Sequence, residues 1–197
     1  MWRVRDLSET QKIRFKNIID MGLQWSTMMR LFEEGSKKNL FKQIIKNTAE
    51  EIFNTNSRMD FVKAHAKFCD WGSKNIFLAE KERKGRIVKQ RKLASYGQIA
   101  KTLDITLKVA IYYCHLPDCD KAKKISDWLN AAVDTQMMAM LKKEYPDEIK
   151  PWPARVEDVQ KSEYLRIQET VLKFIKEKHR GILPVQFDDI YQSMLNP

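Results

Sequence analysis

The sequence predicts an all-α, compact multi-helix fold, which suits one globular domain or two small lobes that share a core. Apolar residues recur at intervals of three and four positions along nearly the whole chain, which is the period of an amphipathic helix, and no segment shows convincing strict alternation. The chain has 197 residues, of which 43% are apolar, and this is enough for one well-buried core. We therefore expect residues 1–197 to form a single helical domain.

Capping and helix-breaking residues divide the first half of the chain into segments. Ser8, followed three positions later by Gln11, predicts a capping box for a first helix that ends near Gly22. Further helices are predicted over residues 25–34, ending at Gly35, over about 38–53, after the capping residue Ser57, and from Gly72 through Leu78.

The second half begins with a basic connector around Gly85. The most apolar helix is predicted over residues 99–113, and a polar helix is expected over 121–129. Asp134 is well placed to cap a helix over residues 136–143. A long helix over about 156–178 is expected to end at Gly181, and residues 185–195 form the last predicted helix.

The charge of the chain is strongly positive and unevenly placed. The formal net charge is +10, and residues 81–108 hold nine basic and two acidic residues. Such a field attracts polyanions, so nucleic acid is the first expected partner. A solvated, lysine-rich helix face is the alternative, whereas an anionic membrane surface is disfavoured because few bulky apolar residues lie between the charges.

Several classes of protein are excluded by what the sequence lacks. No run reaches the eighteen or so apolar residues of a membrane span, and the first sixteen residues contain no apolar signal-peptide core. We expect a cytoplasmic protein without membrane association, with reduced thiols at its three cysteines: Cys69, Cys114 and Cys119. His65 and Cys69 share a helical face, but no Cys-x-x-Cys spacing supports zinc, so no metal site is expected.

Residues 95–145 contain motifs that resemble a known family. The segment 96–102 reads Tyr-Gly-Gln-Ile-Ala-Lys-Thr, an apolar helix follows, and residues 132–136 read Ala-Val-Asp-Thr-Gln. This order is similar to that of the helix-hairpin-helix DNA glycosylases, the endonuclease III superfamily, with Gly97 at the first hairpin glycine. Ile99 replaces the second glycine and Gln136 replaces a common histidine. The 33-position spacing from Lys101 to Asp134 is closest to the archaeal 8-oxoguanine glycosylase branch.

The resemblance implies a glycosylase-like fold, with two helical lobes around a cleft. It also implies a DNA glycosylase that excises a damaged or modified base, with an associated AP-lyase step, in repair or in defence against foreign modified DNA. Lys101 and Asp134 are its implied catalytic residues, and Lys108 is a reserve nucleophile. A carboxylate can stabilise the positive charge that develops on the sugar, and a neutral amine can attack the same carbon. Two alternatives stay open, because Asp134 is also a good N-cap and Lys101 could contact a phosphate.

The remaining expectations concern partners. We expect DNA as the partner, no cofactor, no obligate protein partner and a monomeric chain. Arg83, Lys84, Arg86, Lys89, Arg91, Lys92, Gly97, Gln98 and Lys108 are the predicted DNA-binding residues. The alternative function is a non-enzymatic nucleic-acid-binding helical protein, and a third hypothesis is a helical adaptor whose basic face recognises an acidic protein.

Overall fold

The computed structural model of the protein describes residues 7–83 and 86–190, without the side chains at positions 82, 83 and 86. The fold of this part is all-α, as predicted, apart from two short pairs of strands. Its helices are α1 (Glu9–Trp25), α2 (Glu34–Glu50), α3 (Arg58–Asn75), α4 (Tyr96–Leu107), α5 (Cys119–Ser126), α6 (Thr135–Glu144) and α7 (Lys161–Lys178).

Shorter helical segments join these elements. Single 3₁₀ turns cover Thr27–Arg30, Ile52–Asn54, Val156–Asp158 and Pro184–Gln186. A π-helical segment, Lys108–Tyr113, continues α4 without a break. The predicted helix over residues 156–178 is therefore a 3₁₀ turn followed by α7, and only residues up to 190 of the predicted last helix lie in the described part of the chain.

The predicted helix caps are confirmed. Ser8 and Gln11 form a reciprocal capping box at the start of α1. Ser57 caps α3 by accepting a hydrogen bond from the Asp60 amide, and Asp134 caps α6 in the same way. These interactions span only three positions of the chain, so the local sequence is sufficient to specify them.

Gly22 and Gly72 do not bound helices, contrary to the prediction. Gly22 lies inside α1, where a Cβ atom would stand 2.9 Å from the Cα of Thr106 in α4. Gly72 lies inside α3, where a Cβ would stand 2.5 Å from a methyl group of Ile99. At these two positions α1 and α3 pack so close to α4 that a Cβ atom has no room, which explains both glycines.

The prediction of a helix over residues 25–34 is also wrong. After the 3₁₀ turn Thr27–Arg30, the chain runs extended and Phe32 forms an isolated antiparallel bridge with Leu78. The helix α2 then begins at Glu34, so Gly35 lies in its first turn instead of ending a helix. A pairing between positions this far apart leaves no periodic signal in either segment.

The basic connector contains the strands. β1 (Phe77–Leu78) pairs with β4 (Lys92–Leu93), and between them β2 (Lys81–Arg83) pairs with β3 (Arg86–Lys89), both antiparallel. We call residues 81–89 the basic hairpin. Residues 76–78 were predicted to be helical, but their backbone is extended and pairs with the chain just before α4.

The helix α4 is the central element of the core. It packs against α1, α3 and α7, and most of its side chains are buried. One continuous apolar cluster extends from α1 to the segment after α7. In residues 7–83 and 86–190, no helix is both long enough and apolar enough to cross a bilayer.

Candidate functional site

The structure brings together the two residues that the sequence predicts to be catalytic. Lys101 lies in the second turn of α4, a helix that Ser95 and Gln98 start with a capping box. Asp134 is the N-cap of α6, and its Oδ1 accepts a hydrogen bond of 2.8 Å from the Met137 amide. The Nζ of Lys101 stands 3.8 Å from the other carboxylate oxygen, Oδ2 of Asp134.

One carboxylate therefore serves two purposes. Its Oδ1 caps a helix and its Oδ2 faces an amine, so the capping role and the catalytic role of Asp134 do not exclude each other. The Asp134 side chain is 24% exposed, which leaves it accessible from the solvent side.

Lys101 is held in a desolvated position. Its side chain is 13% exposed. Burial lowers the pKa of the Lys101 ammonium below its usual value, and the charges of Asp134 and Asp188 offset part of this shift. A lysine in such an environment gives up its proton more readily than one in water, which is a requirement for an amine nucleophile.

The pair lines a cleft of about 410 Å³, a volume typical of a small-molecule or single-nucleotide site. One wall is apolar and comes from Met28 and Leu31 on the turn after α1. The polar walls come from the start of α6, with Thr135 and Gln136, and from the segment before α7. A second cleft of about 360 Å³ continues from the first along the basic hairpin.

Lys89, Arg155 and Glu157 line both clefts. Arg155 is paired with Glu157 at 3.2 Å, so the positive charge at the rim of the candidate site comes mainly from Lys89. Lys81, the register partner of Lys89 across the hairpin, lines the second cleft. The basic connector that the sequence identifies is thus connected in space with Lys101 and Asp134, and a bound polyanion could follow these cations to the pair.

Comparison with known proteins identifies no relative of this chain. No protein-family model, no curated protein and no solved structure matches the chain. The chemistry of the site is therefore argued from its own residues.

Three of the predicted DNA-binding cations form ion pairs within the protein, and two of them, Arg91 and Lys92, lie beside the basic hairpin. Arg91 forms a bidentate ion pair with Glu33, at 2.7 and 3.0 Å, and its guanidinium stands 3.6 Å from the centre of the Phe77 ring. This hydrogen bonding raises the pKa of Arg91. The Nζ of Lys92 lies 3.5 Å from Glu157. We assign both residues to anchoring the base of the hairpin on α2 and on the segment before α7.

The structure does not describe the side chains of Arg83, Lys84 and Arg86, which were also predicted to bind DNA. Lys84 is outside the described residues, and only the backbone is described at Arg83 and Arg86. Of the predicted hairpin cations, Lys89 therefore has a described side chain that lines the clefts.

Gly97 and Gln98 occupy packed positions instead of an open hairpin. Gly97 is buried in the first turn of α4, and a Cβ there would stand 2.6 Å from the Cβ of Val159. Its amide donates to the Val159 carbonyl, so it is not available to a phosphate. Gln98 is 3% exposed and completes the capping box with Ser95, and it also lines both clefts, so its contact with DNA stays a prediction. The predicted backbone contact between Gly97 and DNA is corrected to a packing role.

Lys108 is also bound to neighbouring side chains. Its Nζ lies 2.9 Å from Asp188 and 3.0 Å from Asp189, and the residue is 7% exposed. Burial acts to lower the pKa of Lys108, but the two aspartates outweigh it and raise the pKa. Lys108 stays protonated and paired, which does not suit the predicted roles of reserve nucleophile or DNA contact.

A buried polar network around Asp104, three positions after Lys101 on α4, was not predicted. The Asp104 carboxylate accepts a hydrogen bond from the Tyr164 hydroxyl at 2.7 Å and stands 2.8 Å from the Nε2 of His65. The Sγ of Cys69 lies 3.7 Å from the Nδ1 of His65. The spacing of His65 and Cys69 was visible in the sequence, but nothing there pointed to Asp104 or Tyr164.

In this network Cys69, His65 and Asp104 follow one another as a nucleophile, a base and an acid would in a catalytic site. Their environment, however, does not suit catalysis. Cys69 is fully buried, and burial raises the pKa of its thiol, so the thiolate is disfavoured. Within residues 7–83 and 86–190, no group of three or more His, Cys, Asp and Glu side chains could hold a metal ion. We assign the network to joining α3, α4 and α7.

Proposed function

We propose that the protein is a DNA glycosylase that excises a damaged or modified base and then cleaves the abasic strand as a lyase. The observation that carries this proposal is the approach of Lys101 Nζ to Asp134 Oδ2, at 3.8 Å, inside a cleft with a cationic rim. These two residues are 33 positions apart in the sequence, so only the folded chain creates the pair.

The pair is suited to breaking a bond between a base and its sugar. As the bond from C1′ to the base nitrogen lengthens, its electron pair leaves with the base and positive charge develops on the sugar. A carboxylate such as Asp134 stabilises that charge when it lies close to the sugar in a site that excludes water. The departing base nitrogen then takes a proton from solvent or from a neighbouring donor.

Lys101 supplies the nucleophile for the second step. Its neutral amine attacks C1′ and forms a carbon–nitrogen bond, and Asp134 accepts the proton that the amine loses. Asp134 returns this proton to the ring oxygen as the bond from C1′ to that oxygen breaks, which leaves a protonated imine between Lys101 and C1′. The imine withdraws electrons, so a proton of C2′ passes to solvent or to a neighbouring base, and the bond from C3′ to the phosphate oxygen breaks with its electron pair leaving on the phosphate. The lowered pKa of Lys101 favours the neutral amine that starts this sequence.

Base release and covalent trapping provide the test. Single-turnover release would be measured with wild type and Asp134→Asn on duplexes that carry different modified bases. Asn caps helices as well as Asp, so we expect the variant to fold and to bind DNA but to lose release by about 100-fold or more. Asp118→Asn is the matched control, because Asp118 caps α5 in the same way and does not line the cleft.

Lys101→Gln addresses the covalent step. We expect it to abolish borohydride trapping on abasic DNA, whereas a role confined to phosphate contact would lower affinity and leave turnover intact at saturating enzyme. In the wild type, trapping should become faster as the pH rises through a Lys101 pKa below 10.5, because the neutral amine is the reactive form. Trapping retained in Lys101→Gln and lost in Lys108→Gln would move the nucleophile to Lys108.

The alternative is a nucleic-acid-binding protein without enzymatic activity. One observation favours it: Asp134 already caps α6 and pairs with Lys101, so both groups have a structural role without a substrate. Failure of the wild type to release any modified base, combined with salt-dependent DNA binding, would favour this function over the glycosylase.

A further inference from the structure

A third cavity, separate from the two clefts, lies between α2 and α3. It has a volume of about 270 Å³ and shares no lining residue with either cleft. Gln43, Asn47 and Glu50 line it from one face of α2, and Phe68 and Trp71 line it from α3. We call it the α2–α3 cavity. Its volume is close to the lower limit for ligand pockets, so it suits a single small molecule.

The wall that α3 contributes is aromatic. The ring centres of Phe68 and Trp71 are 5.5 Å apart, and the rings are tilted by 47°. Phe68 is buried, whereas Trp71 is partly exposed. A partly exposed indole on the wall of a cavity offers a surface on which a flat ring can stack. This wall therefore favours an aromatic ligand over an aliphatic one.

The wall that α2 contributes carries two carboxamides one helical turn apart, those of Gln43 and Asn47. The Nδ2 of Asn47 is buried, and within residues 7–83 and 86–190 it has no hydrogen-bond partner. A buried donor without a partner is unfavourable, and rotation of the amide toward the cavity would let a bound acceptor pair with it. The protein thus carries a polar group that a ligand in this cavity would satisfy.

The charges on the walls of the α2–α3 cavity cancel one another. Lys46 and Lys67 line it together with Glu50 and Glu51, and the Nζ of Lys67 lies 2.8 Å from a carboxylate oxygen of Glu51. Walls without a net charge give a phosphate or a carboxylate no electrostatic advantage, so a neutral ligand is favoured. The ligand that fits is a flat, neutral molecule with a donor and an acceptor on one edge.

We propose that the α2–α3 cavity binds the adenine base of a nucleoside. Trp71 stacks on the base, and the carboxamide of Asn47 accepts from N6 and donates to N7, which is the pairing that carboxamides make with adenine in nucleic acids. A purine with an oxygen at position 6 presents two acceptors on that edge and leaves the amide oxygen without a donor. The site requires neither Lys101 nor Asp134, so it is independent of the proposed glycosylase chemistry.

Calorimetric titration of the full chain with adenosine and with inosine is the first test. Inosine matches adenosine in size but has an oxygen at position 6, so we expect it to bind at least about tenfold more weakly. Equal affinities for the two nucleosides would overturn the proposal. This comparison uses the wild type alone, so it does not depend on whether a variant folds.

Asn47→Leu removes the amide and keeps a side chain of similar size. We expect it to bind adenosine at least about tenfold more weakly and to unfold at no lower urea concentration than the wild type, because the donor it removes has no partner in the described structure. Asn39→Leu is the matched control, since Asn39 is exposed on α2 and lines neither this cavity nor the two clefts. It makes the same change in helix propensity and should bind adenosine as the wild type does.

Trp71→Leu tests the aromatic wall. It should also weaken adenosine binding by about tenfold, whereas Trp71→Phe should retain most of the affinity, because a phenyl ring still stacks on a base. Unchanged binding in Asn47→Leu or in Trp71→Leu would overturn the proposal, as would an equal loss in Asn39→Leu.

A single-stranded thymine oligonucleotide with one adenine distinguishes two sources of the base. If this strand shows binding that Asn47→Leu abolishes and adenosine shows none, the ligand is an adenine within DNA and the free nucleoside is overturned. Binding of neither overturns the site altogether. Since none of these measurements involves base release, their failure leaves the proposed glycosylase untouched, and failure of base release leaves the adenine site untouched.

Discussion

At the scale of single residues, Asp104 of α4 is a buried carboxylate that needs a partner for each of its two oxygens. It is 3% exposed, and its two oxygens are taken by His65 and Tyr164. Burial opposes a charge on His65, but Cys69 and Asp104 together raise the pKa of the imidazole well above its usual value. Since burial also keeps the thiol of Cys69 protonated, we attribute this rise to the carboxylate of Asp104.

The sign of the pH effect follows from that raised pKa. A histidine with a higher pKa in the folded state stabilises the fold fully below its unfolded pKa of about 6.5, and the contribution disappears as the pH rises through the folded pKa. We expect Asp104→Asn to lower the free energy of unfolding by about 3 kcal/mol at acidic pH, with a smaller loss at pH 9.

Urea unfolding at pH 5.5 and pH 9 measures this difference. Glu51→Gln is a suitable control, because Glu51 forms an exposed ion pair with Lys67 and its loss should cost less than about 1 kcal/mol at either pH. A loss for Asp104→Asn that is equal at both pH values would show that His65 is not charged in the folded protein.

At the scale of elements, glycines determine how closely the helices approach each other. The start of α4 lies against the 3₁₀ turn Val156–Asp158 and the residue after it, where a Cβ on Gly97 would stand 2.7 Å from the Val156 carbonyl oxygen. Gly35, in the first turn of α2, has no atom within 4 Å of the same position. Alanine substitutions at Gly97 and Gly35 therefore test whether a close neighbour is what requires glycine, and the two substitutions should change the stability in opposite directions.

We expect Gly97→Ala to destabilise the protein by about 1–3 kcal/mol, because the new methyl group forces α4 away from Val159. Gly35→Ala should stabilise it by about 0.5–1 kcal/mol, because alanine loses less conformational entropy in a helix and meets no neighbour. Denaturant unfolding of both variants is the measurement. A stable Gly97→Ala protein with impaired DNA binding would instead restore the contact with a phosphate that the sequence predicts.

At the scale of the whole molecule, the basic residues differ in whether an acidic side chain pairs with them. Arg91 and Lys92 line the same cleft as Lys81 and Lys89, but they are paired with Glu33 and Glu157. Lys108 is paired with Asp188 and Asp189. Non-specific affinity for DNA depends on the cations that reach phosphates, not on the net charge.

We expect DNA affinity to fall steeply with salt, and Lys81→Ala/Lys89→Ala to reduce the slope of the double-logarithmic plot by about 1.8, at roughly 0.9 for each lost phosphate contact. The matched control is Lys42→Ala/Lys63→Ala, which removes the same charge from exposed positions on α2 and α3 outside both clefts. Equal changes of slope in the two variants would mean that DNA does not follow the hairpin.

The all-α class, the approximate positions of most helices and three of their caps could be predicted from the sequence. These features depend on interactions within one or two helical turns, such as the bond from Ser57 to the Asp60 amide, so a short window contains all of their partners. The sequence also identified Lys101, Asp134 and the basic connector as chemically distinctive, because residue type and charge density are visible without a fold.

The packing contacts and the pairing partners of these residues could not be predicted from the sequence, because they come from distant parts of the chain. The packing of α1 and α3 on α4 explains Gly22 and Gly72, which local rules assign to helix ends. The strands β1 to β4 are two to four residues long, too short to show a period, and the ion pair that Arg91 forms beside them has its partner at the distant Glu33. Lys101 and Lys108 look alike in sequence, but one faces a cleft beside Asp134 and the other is held by the chain after α7. Burial and partners contributed from distant positions set the proton affinity of each lysine, and the local sequence specifies neither of them.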